Sequence, residues 1–148
     1  MHITIDGANP HISDLEIIKA VEFYADYLLT DREYHEMDIY VNFEKGLRKN
    51  IGDAECCNET DAGPAREFTI SLDDSMGKRR TLIALAHEMV HVKQYARGEM
   101  RYIKSRRQVK FNKQYYNNDY FYFERPWEIE AFGRELGLYQ MYRTKGDK

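Results

Sequence analysis

His87-Glu88-Met89-Val90-His91 constrains this chain more than any other stretch, because it places two imidazoles and a carboxylate within one turn of an apolar segment. On an α-helix, side chains at i and i+4 stand one above the other about 6 Å apart, so His87 and His91 can reach a single ion at about 2.0 to 2.1 Å. Glu88 points to one side of that axis, where it can hold and deprotonate a water. The flanking residues support a helix from Ser75 to Arg97: there is no proline, and Leu82, Leu85, Ala86, Met89, Val90 and Ala96 recur at helical spacing. Gly98 supplies a C-terminal stop. The two histidines sit inside an apolar run from Thr81 to Val92, so any site they form is anchored on a rigid, buried element.

The remainder predicts an α+β chain folded as a single domain over residues 1–148, since 148 residues with 43% hydrophobic content can build one core. Ser13 caps a helix that runs to Leu29, with Leu15, Ile18, Val21, Phe23 and Leu28 at the apolar positions and Glu16 at the capping-box spacing. Three strands follow, Met37 to Phe43, Ala54 to Glu59 and Arg66 to Leu72, divided by Gly46 to Gly52 and by Asp61-Ala62-Gly63-Pro64. Short links predict a three-stranded, mainly antiparallel meander, with Met1 to Asp6 as strand or coil. After the His87/His91 helix comes a long loop or flap from Gly98 to Arg125. A last helix, opened by Pro126 in its first turn, then runs to Arg143, and the Lys145 to Lys148 tail is expected to fray. Cys56 and Cys57 are adjacent and cannot bridge each other in the ordinary way. They read as strand residues, one facing in and one out, in a reducing compartment. With no apolar run of membrane-spanning length and no basic-then-apolar leader, the expectation is a soluble, cytoplasmic protein without membrane partners.

A catalytic zinc site needs a third protein ligand and an open fourth position. No histidine lies downstream of His91, and His2, His11 and His35 lie in the N-terminal quarter. The last helix offers Glu128 and Glu130, which point some 200° apart, so only one can face the ion. Trp127, Ala131, Phe132, Leu136, Leu138, Tyr139 and Tyr142 define its apolar arc, and Glu128 falls near the middle of it, with Glu130 on the other side near Arg134. A carboxylate in a buried arc is costly unless paired or bound to metal, which favours Glu128 over Glu130 as third ligand beside His87 and His91, with Zn2+ the cofactor the HExxH pattern implies; stabilisation of the helix N-terminus is the other role open to both glutamates.

HExxH followed by a later helix bearing Glu, with a small residue three positions on (Glu128 and Ala131), resembles the gluzincin arrangement of thermolysin-like peptidases. The phrases His87 to Tyr95 and Pro126-Trp127-Glu128-Ile129-Glu130-Ala131 also look like the small SprT-like and minigluzincin-type metallopeptidases. The resemblance covers Thr81 to Arg143. Phe132 stands where many such families carry Asn or Asp, which removes the polar neighbour those families give a zinc ligand. The third histidine and the zinc ribbon common in SprT-like proteins are also missing here, so the gluzincin comparison is the safer one. It implies a zincin-like fold and a zinc metallopeptidase acting on protein or peptide substrates. The zinc would lower the pKa of its water to about 7, with Glu88 as general base. Such enzymes position substrate by strand addition, for which Arg66 to Leu72 is the expected edge. Any of Tyr115, Tyr116, Tyr120 and Tyr122 could donate to an oxyanion.

The long connection also carries Arg101, Lys104, Arg106, Arg107, Lys110 and Lys113 in a stretch free of acidic residues from Met100 to Asn118, with aromatics through Phe123. It reads first as a flap over the metal cleft. Its charge leaves two other readings open, a nucleic-acid contact through those six cations or a zinc-stabilised interaction module without catalysis. The formal net charge of -3 does not mark the whole chain as a polyanion binder.

Overall fold

The computed structural model describes residues 1–146, so the frayed tail expected at Lys145 to Lys148 lies, for its last two positions, outside the described residues. Alternation of apolar and polar residues builds the main sheet. Strands β1 (His2–Asp6), β2 (Asp38–Glu44), β3 (Ala54–Asn58) and β4 (Glu67–Asp73) lie in the order β1-β2-β4-β3. Ile3 stands beside Ile39 and Phe68, Ile5 beside Val41, Ile70 and Cys56, and Phe43 beside Leu72 and Ala54. Successive residues point to opposite faces, so these form one apolar face while His2, Thr4, Tyr40, Asn42, Thr69 and Cys57 form a polar one. Cys56 and Cys57 therefore divide as the alternation predicts.

The pairing corrects the antiparallel meander. The sheet has four strands, β1 and β2 run parallel to their neighbours in the register, and only β3 is antiparallel, to β4. Short links suggested that strands adjacent in sequence pair with each other. The link after β2 instead contains a short helical turn, α3 (Leu47–Asn50), and the chain passes one strand width further before β4 returns into the gap. Arg66 to Leu72 is consequently interior, and the edge strands are β3 and, on the far side, β1.

Helix α1 (Asp14–Leu28) follows β1, and Ser13 Oγ accepts from the Glu16 amide at 3.2 Å. Its Ile17, Val21, Tyr24 and Leu28 are buried, whereas Leu15 in the first turn faces solvent. The short α2 (Asp31–Glu36) was not visible as a helix in the apolar pattern. It is held by a reciprocal capping box between Thr30 and Glu33. Helix α4 (Lys78–Ala96) begins a few residues after the expected Ser75, because Asp73 first folds the chain into a turn by accepting from the amide and hydroxyl of Ser75. Gly98 ends the segment with φ 71°, the left-handed conformation glycine adopts without cost.

The long connection is more ordered than a loop: β5 (Met100–Ile103), β6 (Gln108–Phe111) and β7 (Gln114–Asn117) form a separate antiparallel sheet. Helix α5 (Pro126–Met141) then closes the fold and widens into a last turn over Tyr142–Gly146. Helices α1 and α4 cover the apolar face of the main sheet, and α5 packs on α4. Tyr24 ties the helices together by donating to the Leu82 carbonyl at 3.1 Å and packing edge-on with Phe23 and at a tilt with Tyr142. Enclosure by sheet and two helices explains why α4 reads as a nearly continuous apolar run. Among the described residues, no helix is long and apolar enough to cross a membrane.

Candidate metal centre

Helix α4 carries His87, Glu88 and His91 to its contact with α5, where Glu128 sits in the first turn. One ligand atom from each of His87, His91 and Glu128 lies within 4.8 Å of the others, and all three residues are buried. His91 Nε2 lies 2.7 Å from Glu128 Oε1, and His87 Nε2 lies 3.5 Å from Glu128 Oε2. Two ligands at about 2.0 to 2.1 Å from a tetrahedral ion stand about 3.3 Å apart, a spacing that lies between these two distances. Glu128 Oε2 is fully buried and makes no hydrogen bond. A buried carboxylate oxygen left without a hydrogen bond 3.5 Å from an imidazole nitrogen is the feature a cation would satisfy. Glu130 takes the other direction, as helical phase predicts, pairing with Lys93 at 2.8 Å and with Arg134 at 3.7 Å.

The two imidazoles are held from behind. His87 Nδ1 donates to Glu135 Oε2 at 2.7 Å, since a carboxylate can only accept. His91 Nδ1 meets Gln94 Oε1 at 2.8 Å. The Gln94 amide has no freedom to flip, because its Nε2 donates to the Trp127 carbonyl at 2.9 Å and to Glu130 Oε1 at 2.8 Å. Both Nδ1 atoms are thereby committed, and both Nε2 atoms turn toward Glu128. Sequence reasoning missed Glu135 and Gln94. Phe132, at the position where a polar partner was sought, instead packs edge-on against the His87 ring with centroids 4.5 Å apart. A signal was present: Glu135 lies seven residues after Glu128, two turns on and on the same helix face.

Electrostatics follow from this crowding. For His87, burial favours the neutral ring, but the carboxylates of Glu128 and Glu135 on its two sides outweigh it and lift the pKa to about 9. His91 moves up for the same reason, with burial opposed by its bond to Glu128. Glu128 is held well below the usual carboxylate range, its burial being overcome by the two imidazoles. Glu88 goes the other way: burial raises its pKa to about 7 although both histidines pull it down.

The centre opens onto a cleft of about 370 Å³ lined by Glu88, Cys56, Tyr122, Arg125 and Val109, and by the successive residues Ala54 and Glu55 of the β3 edge. A second hollow, on the other side of Glu88, is lined by Ile83, Ala84, Phe132 and again Tyr122. Among the four tyrosines considered from sequence, the structure brings only Tyr122 to the metal ligands. Burial, and next the Glu128 carboxylate that its phenol faces, push its pKa up. Tyr115 is exposed, and Tyr116 packs on Trp127 and Tyr120. The six cations of the connection are not brought to the centre; they lie on the β5–β7 sheet and its turns. No protein-family profile matches the chain, and no curated protein or solved structure does either.

Proposed function

We propose that this chain is a zinc-dependent peptidase of gluzincin type, with His87, His91 and Glu128 as metal ligands and Glu88 as general base. The observation that carries the reading is the convergence of those three ligand atoms around an orphaned carboxylate oxygen, with a separate, cleft-facing Glu88 beside them. Two histidines and a glutamate form one of the donor sets used by catalytic zinc, and a zinc ion there would act as a Lewis acid on a water and on a carbonyl.

The chain's own residues supply the rest. Glu88, with a pKa near neutrality, can take a proton from water and return it to a leaving amine at ordinary pH. A purely structural zinc site needs no such base, which favours catalysis over an interaction module held together by metal. The free β3 edge borders the cleft and offers unpaired backbone groups to an extended peptide, so strand addition moves from β4 to β3. The Tyr122 hydroxyl, at the cleft between both hollows, is the donor placed to meet an oxyanion.

The test pairs metal analysis with turnover. Wild-type protein should contain about one zinc per chain, retained in Glu130→Ala and lost in Glu128→Ala. Cleavage of an unfolded protein substrate should disappear in Glu88→Gln while zinc content stays. Wild type without zinc after reconstitution, or Glu88→Gln with undiminished turnover, would overturn the proposal.

A further inference from the structure

The sheet inserted between α4 and α5 has two dissimilar faces. Its register sets Met100 beside Phe111 and Tyr102 beside Val109 and Tyr116, and Met100, Phe111, Val109 and Tyr116 pack with Trp127 against the body of the protein. The opposite face carries Arg101, Lys110 and Tyr115 in one row across all three strands. Lys104, Arg106 and Arg107 lie in the turn at one end of β6 and Lys113 in the turn at the other, so cations span about 20 Å along that strand. No acidic residue occurs from 100 to 118, in a chain whose net charge is -3, so the remainder carries -9 against +6 here.

Two further observations bear on these cations. None of the six sits in an ion pair among the described residues; that is also true of cations such as Lys19, Lys45 and Arg97, but only here do six of them share one acid-free segment. In addition, Arg107 and Lys113 occupy left-handed backbone positions, with φ 49° and 70°, where glycine or asparagine would be less strained. Long cationic side chains stand where the backbone favours residues without them.

We propose that this outer face binds single-stranded nucleic acid, with the six cations on its phosphates and Tyr115 stacking on a base. The ring of Tyr115 is 52% exposed, and Lys110 Nζ lies 5.6 Å from its centre. A bare aromatic beside unpaired cations suits a chain that alternates bases and phosphates. An acidic peptide would use the charge and leave the ring idle. A base can stack on the exposed Tyr115 ring only where it is free of a duplex, which selects a single strand. The face contains none of the metal-centre residues, so failure of the peptidase reading would leave this proposal standing.

Fluorescence anisotropy of the intact protein with a labelled 12-nucleotide oligothymidylate tests it. Each phosphate engaged contributes about -0.7 to the slope of log affinity against log salt, so six contacts predict an affinity loss of about 300-fold between 50 and 200 mM salt. Arg101→Ala with Lys110→Ala should weaken binding and flatten that slope by about 1.4, and Tyr115→Ala should weaken binding without changing it. Zinc content and far-ultraviolet circular dichroism of these surface variants should match wild type. The proposal is overturned by absence of binding at 50 mM salt, by slopes insensitive to the paired substitution, or by equal affinity for a duplex or a polyglutamate peptide.

Discussion

The α4–α5 centre and the β5–β7 sheet are neighbours in sequence and handle charge in opposite ways. In the centre, each imidazole has its rear nitrogen bound, by Glu135 for His87 and by Gln94 for His91, and its other nitrogen turned to Glu128. In the sheet and its turns, six cations, five exposed and Lys110 half-buried, have no ion-pair partner among the described residues. Burial explains the contrast. A charge removed from water must be compensated in place, while an exposed one costs little and is free to meet a partner. The first region should therefore respond strongly to single substitutions and the second weakly, except where its own ligand is measured.

The largest expected effect is on turnover. Glu88→Gln should lower kcat by about 10²- to 10⁴-fold with unchanged zinc stoichiometry, measured on a quenched-fluorescence peptide. Next comes the support behind the ligands. Glu135→Ala should weaken zinc binding by about 10- to 100-fold, read by competition with a chromophoric chelator. Equal affinity in this variant would show that the bond behind His87 does not orient the ligand.

Protonation sharpens the comparison further. In the metal-free chain the folded pKa of His87 is raised to about 9, from an ordinary value near 6.5, and that of His91 is raised too. A raised folded pKa contributes stability that is complete below the ordinary value and lost as pH climbs through the folded one. The melting temperature of chelated protein should therefore fall between pH 6.5 and 9. Zinc uptake near pH 7 should release protons, seen as a dependence of binding heat on the ionisation enthalpy of the buffer. A melting temperature flat across that interval would mean the imidazoles are neutral before metal arrives. The smallest effect belongs to the sheet: Arg101→Ala with Lys110→Ala should change folding stability by no more than about 0.5 kcal/mol in chemical denaturation.

The centre was more legible in the sequence than the sheet topology, for a physical reason. His87, Glu88, His91 and Glu128 are related by helix geometry, which is local and fixed at 3.6 residues per turn, so spacing alone set their directions. Glu130 could be assigned away from the cluster on the same argument, and its bonds to Lys93 and Gln94 agree. Strand pairing depends on contacts between distant segments. Nothing in Asp38–Glu44 or Glu67–Asp73 states that they lie side by side and parallel, and the short α3 that displaces the chain has no apolar period of its own. Glu135 escaped notice because a partner was sought at Phe132, one turn short of it. Phe132, Leu136 and Leu15 were placed on the apolar faces of their helices by spacing and are exposed. Chemical type alone does not say which side of a helix meets a neighbour. The long connection was readable in its charge and not in its strands, since β5, β6 and β7 have only four residues each.

The positions of His91 and Glu128 along the chain have a topological consequence on the proposed reading. An ion held by both would staple together the two ends of the segment 92–127, which contains the whole of β5, β6 and β7. Like a disulfide across the same span, the staple would restrict the denatured chain, and a single backbone nick inside the segment would leave both fragments fastened. Metal-loaded protein cut once in that stretch should thus stay in one piece during gel filtration without denaturant, and fall apart more readily once the ion is stripped.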